Sequence, residues 1–167
     1  MGYFIEFVDV YKSFNDRTIL DGVSFGVEKG ETFAILGPSG VGKTVMLTHV
    51  VGLLKPDKGR IIVDGEDISD MSERELTHVR RKVQLVFQSG ALFDSLSVWE
   101  NVAFPITDTG LSDEEIEKRV EETLQLVEIK ELADLMPAEL STGIKRAVAI
   151  ARAVAAQPQG ILYDEPT

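Results

Sequence analysis

The residues best suited to chemistry are Gly37-Pro38-Ser39-Gly40-Val41-Gly42-Lys43-Thr44, which spell G-x-x-x-x-G-K-[ST] directly after the apolar run Thr32-Phe33-Ala34-Ile35-Leu36. This is the pattern of a phosphate-binding loop. Backbone N–H groups converge there on a polyanionic triphosphate, and glycines let the main chain approach without a Cβ clash. Lys43 supplies a point charge for the β- and γ-phosphates, and the Thr44 hydroxyl is placed to ligate Mg2+. A helix through Val45-Met46-Leu47 toward Gly52 aims its positive end at the same anion. At an average glycine usage of about 7%, a chance match in a chain this long has odds below roughly 1%. A plain Gly-rich turn therefore gives way to a binder of nucleoside triphosphates.

A second group of chemically useful residues closes the chain, where the apolar strand Ile161-Leu162-Tyr163 runs into Asp164-Glu165. A phosphate loop is usually partnered by an acidic residue at the end of a neighbouring strand, because Mg2+ must also be held from the side away from the phosphates. Asp164 suits that role. Glu165 suits a different one, orienting and deprotonating the attacking water. The bland alternative is an acidic surface turn at Asp164-Glu165-Pro166-Thr167.

The elements that must position these groups follow from periodicity. Phe4-Ile5-Glu6-Phe7-Val8-Asp9-Val10 and Val23-Ser24-Phe25-Gly26-Val27 alternate as antiparallel strands do, with turns at Asn15-Asp16 and Glu28-Lys29-Gly30. Lys55-Pro56-Asp57-Lys58-Gly59 reads as a turn, Arg60-Ile61-Ile62-Val63 as a strand and Asp64-Gly65 as another turn. Ser72-Glu73-Arg74-Glu75 is a capping box opening a short helix to about Arg81, followed by the strand Val83-Gln84-Leu85-Val86-Phe87. A mostly helical insertion then runs from about Ser89 to Leu140. Within it, Ser112-Asp113-Glu114-Glu115 is a second capping box, and Ile116, Val120, Leu124 and Val127 form one apolar stripe. A last helix spans about Ser141 to Ala156.

Composition sets the bounds. The 167 residues suffice for one domain with a real core, and a hydrophobic fraction of 44% is that of a globular protein. With 17 Lys+Arg against 28 Asp+Glu, the formal charge of −11 repels nucleic acid and anionic headgroups at long range. No stretch reaches the roughly 18 consecutive apolar residues of a membrane span, and Met1-Gly2-Tyr3-Phe4-Ile5-Glu6 lacks the basic start of a signal peptide. Without cysteine there are no disulfides and no thiol catalysis. The expectation is a cytoplasmic protein with no nucleic-acid partner.

One further run makes the pattern specific. Leu140-Ser141-Thr142-Gly143-Ile144, followed by Lys145-Arg146-Ala147-Val148-Ala149-Ile150-Ala151-Arg152-Ala153, resembles the signature motif and helix of ATP-binding-cassette (ABC) ATPases. The order of phosphate loop, glutamine after a strand (Gln88), signature and acidic strand is similar as well. It covers nearly the whole chain. Thr142 stands where that family usually has Gly, and Ile144 where it usually has Gln.

The resemblance implies an α/β fold: a P-loop NTPase (RecA-like) core with an N-terminal antiparallel β-subdomain and a helical insertion subdomain. The single domain, residues 1–167, would divide into a core of about 1–88 with 157–167 and a helical subdomain of about 89–156, incomplete at the C-terminus. The cofactors implied are ATP and Mg2+. Catalytic roles fall to Glu165, Gln88 and Lys43. Nucleotide contacts fall to Tyr11, stacking on adenine, and to Gly37, Pro38, Ser39, Gly40, Val41, Gly42, Lys43 and Thr44. Ser141 and Gly143 would act in trans, their hydroxyl, amide and helix dipole facing the γ-phosphate held by a second copy in a head-to-tail sandwich dimer. Mg2+ would be held by Thr44, Gln88 and Asp164. Read without the family, Gln88 is a polar strand end, Tyr11 a packed aromatic and Ser141 a plain N-cap. His49 and His78 precede the acidic strand and read as ordinary surface or helix residues.

The segment from Phe87 to Pro105 surrounds the place where an ABC subunit meets its transmembrane permease. Its run Ser89-Gly90-Ala91-Leu92-Phe93-Asp94 resembles ATPases of lipid-transport systems that work with mammalian-cell-entry (MCE) domain proteins. That implies a peripheral protein on the inner face of the cell membrane, a permease partner and an MCE-domain lipid-binding partner. The alternatives are an importer ATPase for a small polar solute, an ABC protein acting on DNA or ribosomes, and a nucleotide-binding module without turnover. The second of these is disfavoured by the acidic charge and by the compact insertion, since only 53 positions separate Gln88 from Ser141. The family continues past Thr167 with a further strand and a switch histidine. The chain as it stands is therefore expected to bind Mg-ATP weakly, to turn it over poorly and to self-associate along a sheet edge.

Overall fold

A computed structural model describes residues 2–164. It contains two compact units, residues 1–85 and 86–167.

The first unit is built on a hairpin. β1 (Ile5–Phe14) and β2 (Arg17–Val27) pair antiparallel, with Ile5 opposite Val27, Phe7 opposite Phe25 and Phe14 opposite Arg17. Asn15 and Asp16, at φ 42° and 58°, make the tight left-handed turn whose twist matches that of the strands. β1 also pairs antiparallel with β3 (Lys58–Val63), which turns at Asp64-Gly65 into β4 (Glu66–Asp67), giving the order β2-β1-β3-β4.

Alternation along β1 buries Ile5, Phe7 and Val10, and β3 buries Ile61 and Val63. The pairing of β1 is interrupted at Asp9, whose φ is 49° and whose amide donates to Ser24 Oγ at 2.8 Å. At that bulge Gly59 passes so close that a Cβ on it would lie 2.2 Å from the Asp9 carbonyl oxygen. α1 (Lys43–Val50) follows the phosphate loop. α2 (Glu73–Lys82) is opened by the expected capping box, the Glu75 amide donating to Ser72 Oγ and the Ser72 amide to Glu75 Oε2. β5 (Val83–Val86) runs from the end of this unit into the first residue of the second.

The run Thr32–Leu36 is not a strand. Phe33 stacks on Phe25 with ring centroids 5.2 Å apart, while Leu36 is 90% exposed. An apolar run becomes a buried strand only when strands flank it, and among the described residues none pairs with this one.

The second unit is helical, with α3 (Val98–Ala103), α4 (Asp113–Leu126), α5 (Thr142–Ala155) and the short β6 (Gly160–Tyr163). Ile116, Val120 and Leu124 on α4 are buried together with Val98, Val102 and Ile106 and with Val148, Ala151 and Ala155 on α5, and Val127 packs against them half-buried. The stripe is core, as its spacing indicates. Alanines on α5 let its backbone come close to its neighbours. A third capping box, Ser97 with Glu100, opens α3.

Candidate functional site

The phosphate loop takes the shape its glycines permit. Gly40 and Gly42 lie at φ 78° and 103°, where a side chain is strained. Gly42 is constrained twice, because a Cβ there would also meet Ile19 Cγ2 at 2.8 Å on β2. It forms the N-cap of α1 without a side chain of its own, so the first-turn amides of the helix are not closed off by a cap side chain. Lys43 Nζ donates to the carbonyl oxygens of Gly37 at 2.7 Å and Pro38 at 2.9 Å. The ammonium thus lies across the mouth of the loop. Thr44 is exposed on the first turn, and Ser39, Gly40 and Val41 are exposed above it.

Tyr11 stands on β1 just beyond the Asp9 bulge and is 38% exposed. A Cβ on Gly22 would sit 2.9 Å from its hydroxyl, so the ring lies along bare β2 backbone. The Asp57 amide donates to the Tyr11 carbonyl at 2.9 Å, while the Asp57 carboxylate takes Lys12 Nζ at 2.8 Å and the Ser13 amide at 2.7 Å. Those bonds, that from Lys12 first, hold the Asp57 carboxyl below its ordinary pKa. The strand segment carrying Tyr11 is therefore held at both edges.

His49, at the end of the helix the loop opens, is fully buried. It is a helix residue as expected, but not a surface one; His78 is the exposed member of the pair and bonds to Glu66 Oε2 at 2.8 Å. His49 Nδ1 lies 2.6 Å from the Val45 carbonyl, to which it must donate, and Nε2 has no partner among the described residues. Burial is the main reason its pKa falls below the ordinary 6.5. The folded protein thus holds His49 neutral, and protons bind the unfolded chain first. Stability unaffected by this group above about pH 6.5 must decline as the pH drops below it. Urea midpoints at pH 7.5 and 5.5 should show that decline, and His49→Met should make it shallower; an identical decline in the variant would show that other groups cause it.

In the second unit, Gln88 and Asp164 line one cleft of about 80 Å3 together with Phe87, Arg146, Ile150 and Tyr163. The Asp164 amide donates to the Val86 carbonyl at 3.0 Å, which fixes the acidic end of β6 beside the strand that leads into Gln88. Arg146 donates through Nε to the Gln88 carbonyl at 3.3 Å. Neither Arg146 in this cleft nor the buried Asn101 below was foreseen from sequence, because an isolated Arg or Asn carries no periodic signal. Glu165, Pro166 and Thr167 lie outside the described residues.

Ser141 caps α5, accepting the Ile144 amide at 3.4 Å. Among the described residues, Gly143 has no atom within 4 Å of where its Cβ would be, and Ser141, Thr142 and Gly143 are all exposed. Ile144 packs against the helical core, which accounts for an apolar residue at that position. The helix start therefore presents a hydroxyl and a bare backbone to an anion approaching from outside.

Among the described residues, no helix is long and apolar enough to cross a membrane. A family model described as ABC transporter matches residues 20–167. The ATP-binding protein MlaF of the intermembrane phospholipid transport system of Haemophilus influenzae is 47% identical over 152 residues, covering 90% of this chain and 58% of that protein. The spermidine/putrescine import ATP-binding protein PotA of Protochlamydia amoebophila is 44% identical over 162 residues, 97% of this chain and 42% of that protein. The solved dimer of the bacterial ABC transporter cassette MJ0796 superposes with a TM-score of 0.92 at 37% identity, over 98% of this chain and 74% of that one. The chain thus spans between about two fifths and three fifths of these curated relatives. A glycine cradle with its lysine, a capped signature helix and an acidic strand end, in that order and with this likeness, make the chain a member of the ABC transporter family.

Proposed function

We propose that this chain is the ATP-binding and hydrolysing part of a membrane ABC transporter that powers phospholipid or related lipid movement across the bacterial envelope. The observation carrying the nucleotide reading is the loop itself: left-handed Gly40 and Gly42, an α1 N-terminus without a cap side chain, and an ammonium resting on two carbonyls that a triphosphate would replace. These residues fit ATP, and the Thr44 hydroxyl and the Asp164 carboxylate are each hard oxygen donors of the kind Mg2+ takes. Bound Mg2+ would offset charge on the β- and γ-phosphates. Lys43 would hold those phosphates, Tyr11 would stack on adenine, Gln88 would sense the attacking water and Glu165 would take its proton.

Ser141 and Gly143 are exposed at the start of α5, as residues serving a second copy must be, and MJ0796, at 37% identity, is a dimer. Both observations support a head-to-tail pair with two nucleotides between the chains. In that assembly residues 1–88 and 157–167 form the nucleotide core, and 89–156 the helical part that meets a permease. The protein then sits at the inner face of the cell membrane without entering it.

Lipid as cargo is supported by the run Ser89–Asp94 and by MlaF, with an MCE-domain lipid-binding protein as the further partner. The comparable identity of PotA favours a second reading, an importer ATPase for a small polar solute. The intact protein, purified with its permease into phospholipid nanodiscs, separates them. ATP turnover should rise with a lipid-loaded MCE partner and ignore spermidine. The reverse response would establish the importer. Recovery with ribosomes or DNA instead of a permease would overturn both.

A further inference from the structure

The loop that follows Gln88 is bound to the signature helix by more than packing. Gly90 lies at φ 80° and is buried, and a Cβ on it would meet the Lys145 carbonyl oxygen on α5 at 3.0 Å. Ala91, next to it, is also left-handed at φ 42°. Two successive residues of that kind turn their carbonyls the same way, and one side chain collects both: Arg152 donates through Nη1 to Ala91 O at 2.9 Å and through Nη2 to Gly90 O at 3.1 Å.

The guanidinium also lies 5.7 Å from the centre of the Phe93 ring. Phe93 is held in turn by Asn101 on α3, which accepts its amide at 2.9 Å and donates to its carbonyl at 3.1 Å, and to those of Leu96 and Ser97 at 2.9 and 3.0 Å. Asn101 is fully buried. Six residues nearer the start of α5, Arg146 reaches the Gln88 carbonyl.

Arg152 is in an expensive place. It is half-buried and desolvated enough to push its pKa below the ordinary arginine value, and its partners among the described residues are neutral carbonyls and a ring. A half-buried charge held on carbonyls in this way needs a reason in the backbone it holds. We infer that Arg152 is a positioning residue: its two-pronged grip on Gly90 and Ala91 ties the loop carrying Gln88 to the helix whose start carries Ser141 and Gly143. Movement of the signature helix is then transmitted to Gln88 as a displacement of its backbone. The inference rests on the proposed role of Gln88.

The intact subunit with its permease supplies the test, using Arg152→Lys, which keeps charge and stem but offers a point donor in place of the fork. Turnover should fall about 10–100-fold with KM for ATP unchanged, since the phosphate loop is untouched. Gln88→Ala should cost a similar factor, and the double variant should cost no more than Gln88→Ala alone. The Gly90 amide, bonded to Phe87 O at 2.9 Å, should exchange with deuterium about tenfold faster in Arg152→Lys. Exchange can be read even if turnover is lost to poor assembly. Additive losses, or unchanged exchange at Gly90, would overturn the inference. Unaltered turnover in Gln88→Ala would instead overturn the role of Gln88, and the inference with it.

Discussion

Lys43→Ala should weaken ATP binding by roughly two to three orders of magnitude while leaving the fold in place. The ammonium makes two hydrogen bonds at 2.7 and 2.9 Å to loop carbonyls, and both lie at the half-exposed mouth of the loop. Losing them exposes two carbonyls to water, which satisfies them, so stability should change by less than about 1 kcal/mol. With nucleotide bound the balance is different. The same ammonium would pair with phosphate oxygens, where charge-assisted bonds are each worth about 1.5–3 kcal/mol, and two of them account for the expected loss. Titration with a fluorescent ATP analogue measures the affinity, and a urea curve on the same sample measures the stability. Undiminished affinity would sink the nucleotide site at Gly37–Thr44. A collapse of stability would instead give the lysine a structural role.

Glu165→Gln should have the largest effect on turnover, a fall of about 10^2–10^4-fold with ATP still bound. A carboxylate that accepts the proton of the attacking water contributes through basicity. Glutamine keeps its size and hydrogen-bonding reach but cannot take that proton at neutral pH. If ATP is held by the loop in the first unit, as proposed, binding is independent of residue 165, and the variant should hold ATP and fail to convert it. Single-turnover measurements with radiolabelled ATP separate the two steps. If hydrolysis persisted within a few-fold, the base would have to be another group. Asp164, the carboxylate in the cleft of the second unit, would be the residue to substitute next.

How much of this was legible beforehand depends on how far apart in sequence the interacting groups are. Ser72 with Glu75 and Ser112 with Glu115 close on themselves within four residues, and both form as read. The Asn15-Asp16 turn and the apolar stripe on α4 are equally local, set by backbone preference and by a 3.6-residue period. The capping box at Ser97 was available by the same rule, but it sits inside a segment whose apolar residues draw attention first. The apolar run Thr32–Leu36 forms no strand for the converse reason. Apolar character states a wish for burial, and the flanking strands must meet it.

The residues around the site divide along the same line. Sequence alone carries the loop pattern at Gly37–Thr44, because a triphosphate imposes glycine, lysine and hydroxyl at fixed offsets within eight positions, and it fixed the start of the helix that Ser141 caps. Tertiary structure decided that His49 is neutral and enclosed, that Gly42 must be bare against Ile19, and that Arg146 and Arg152 reach back 58 to 62 positions to grip the backbone after Gln88. None of those partners stands at a characteristic spacing, and a hydrogen bond to a carbonyl asks nothing of the side chain it belongs to. Contacts of that kind leave no trace in a single sequence, and only the folded chain reveals them.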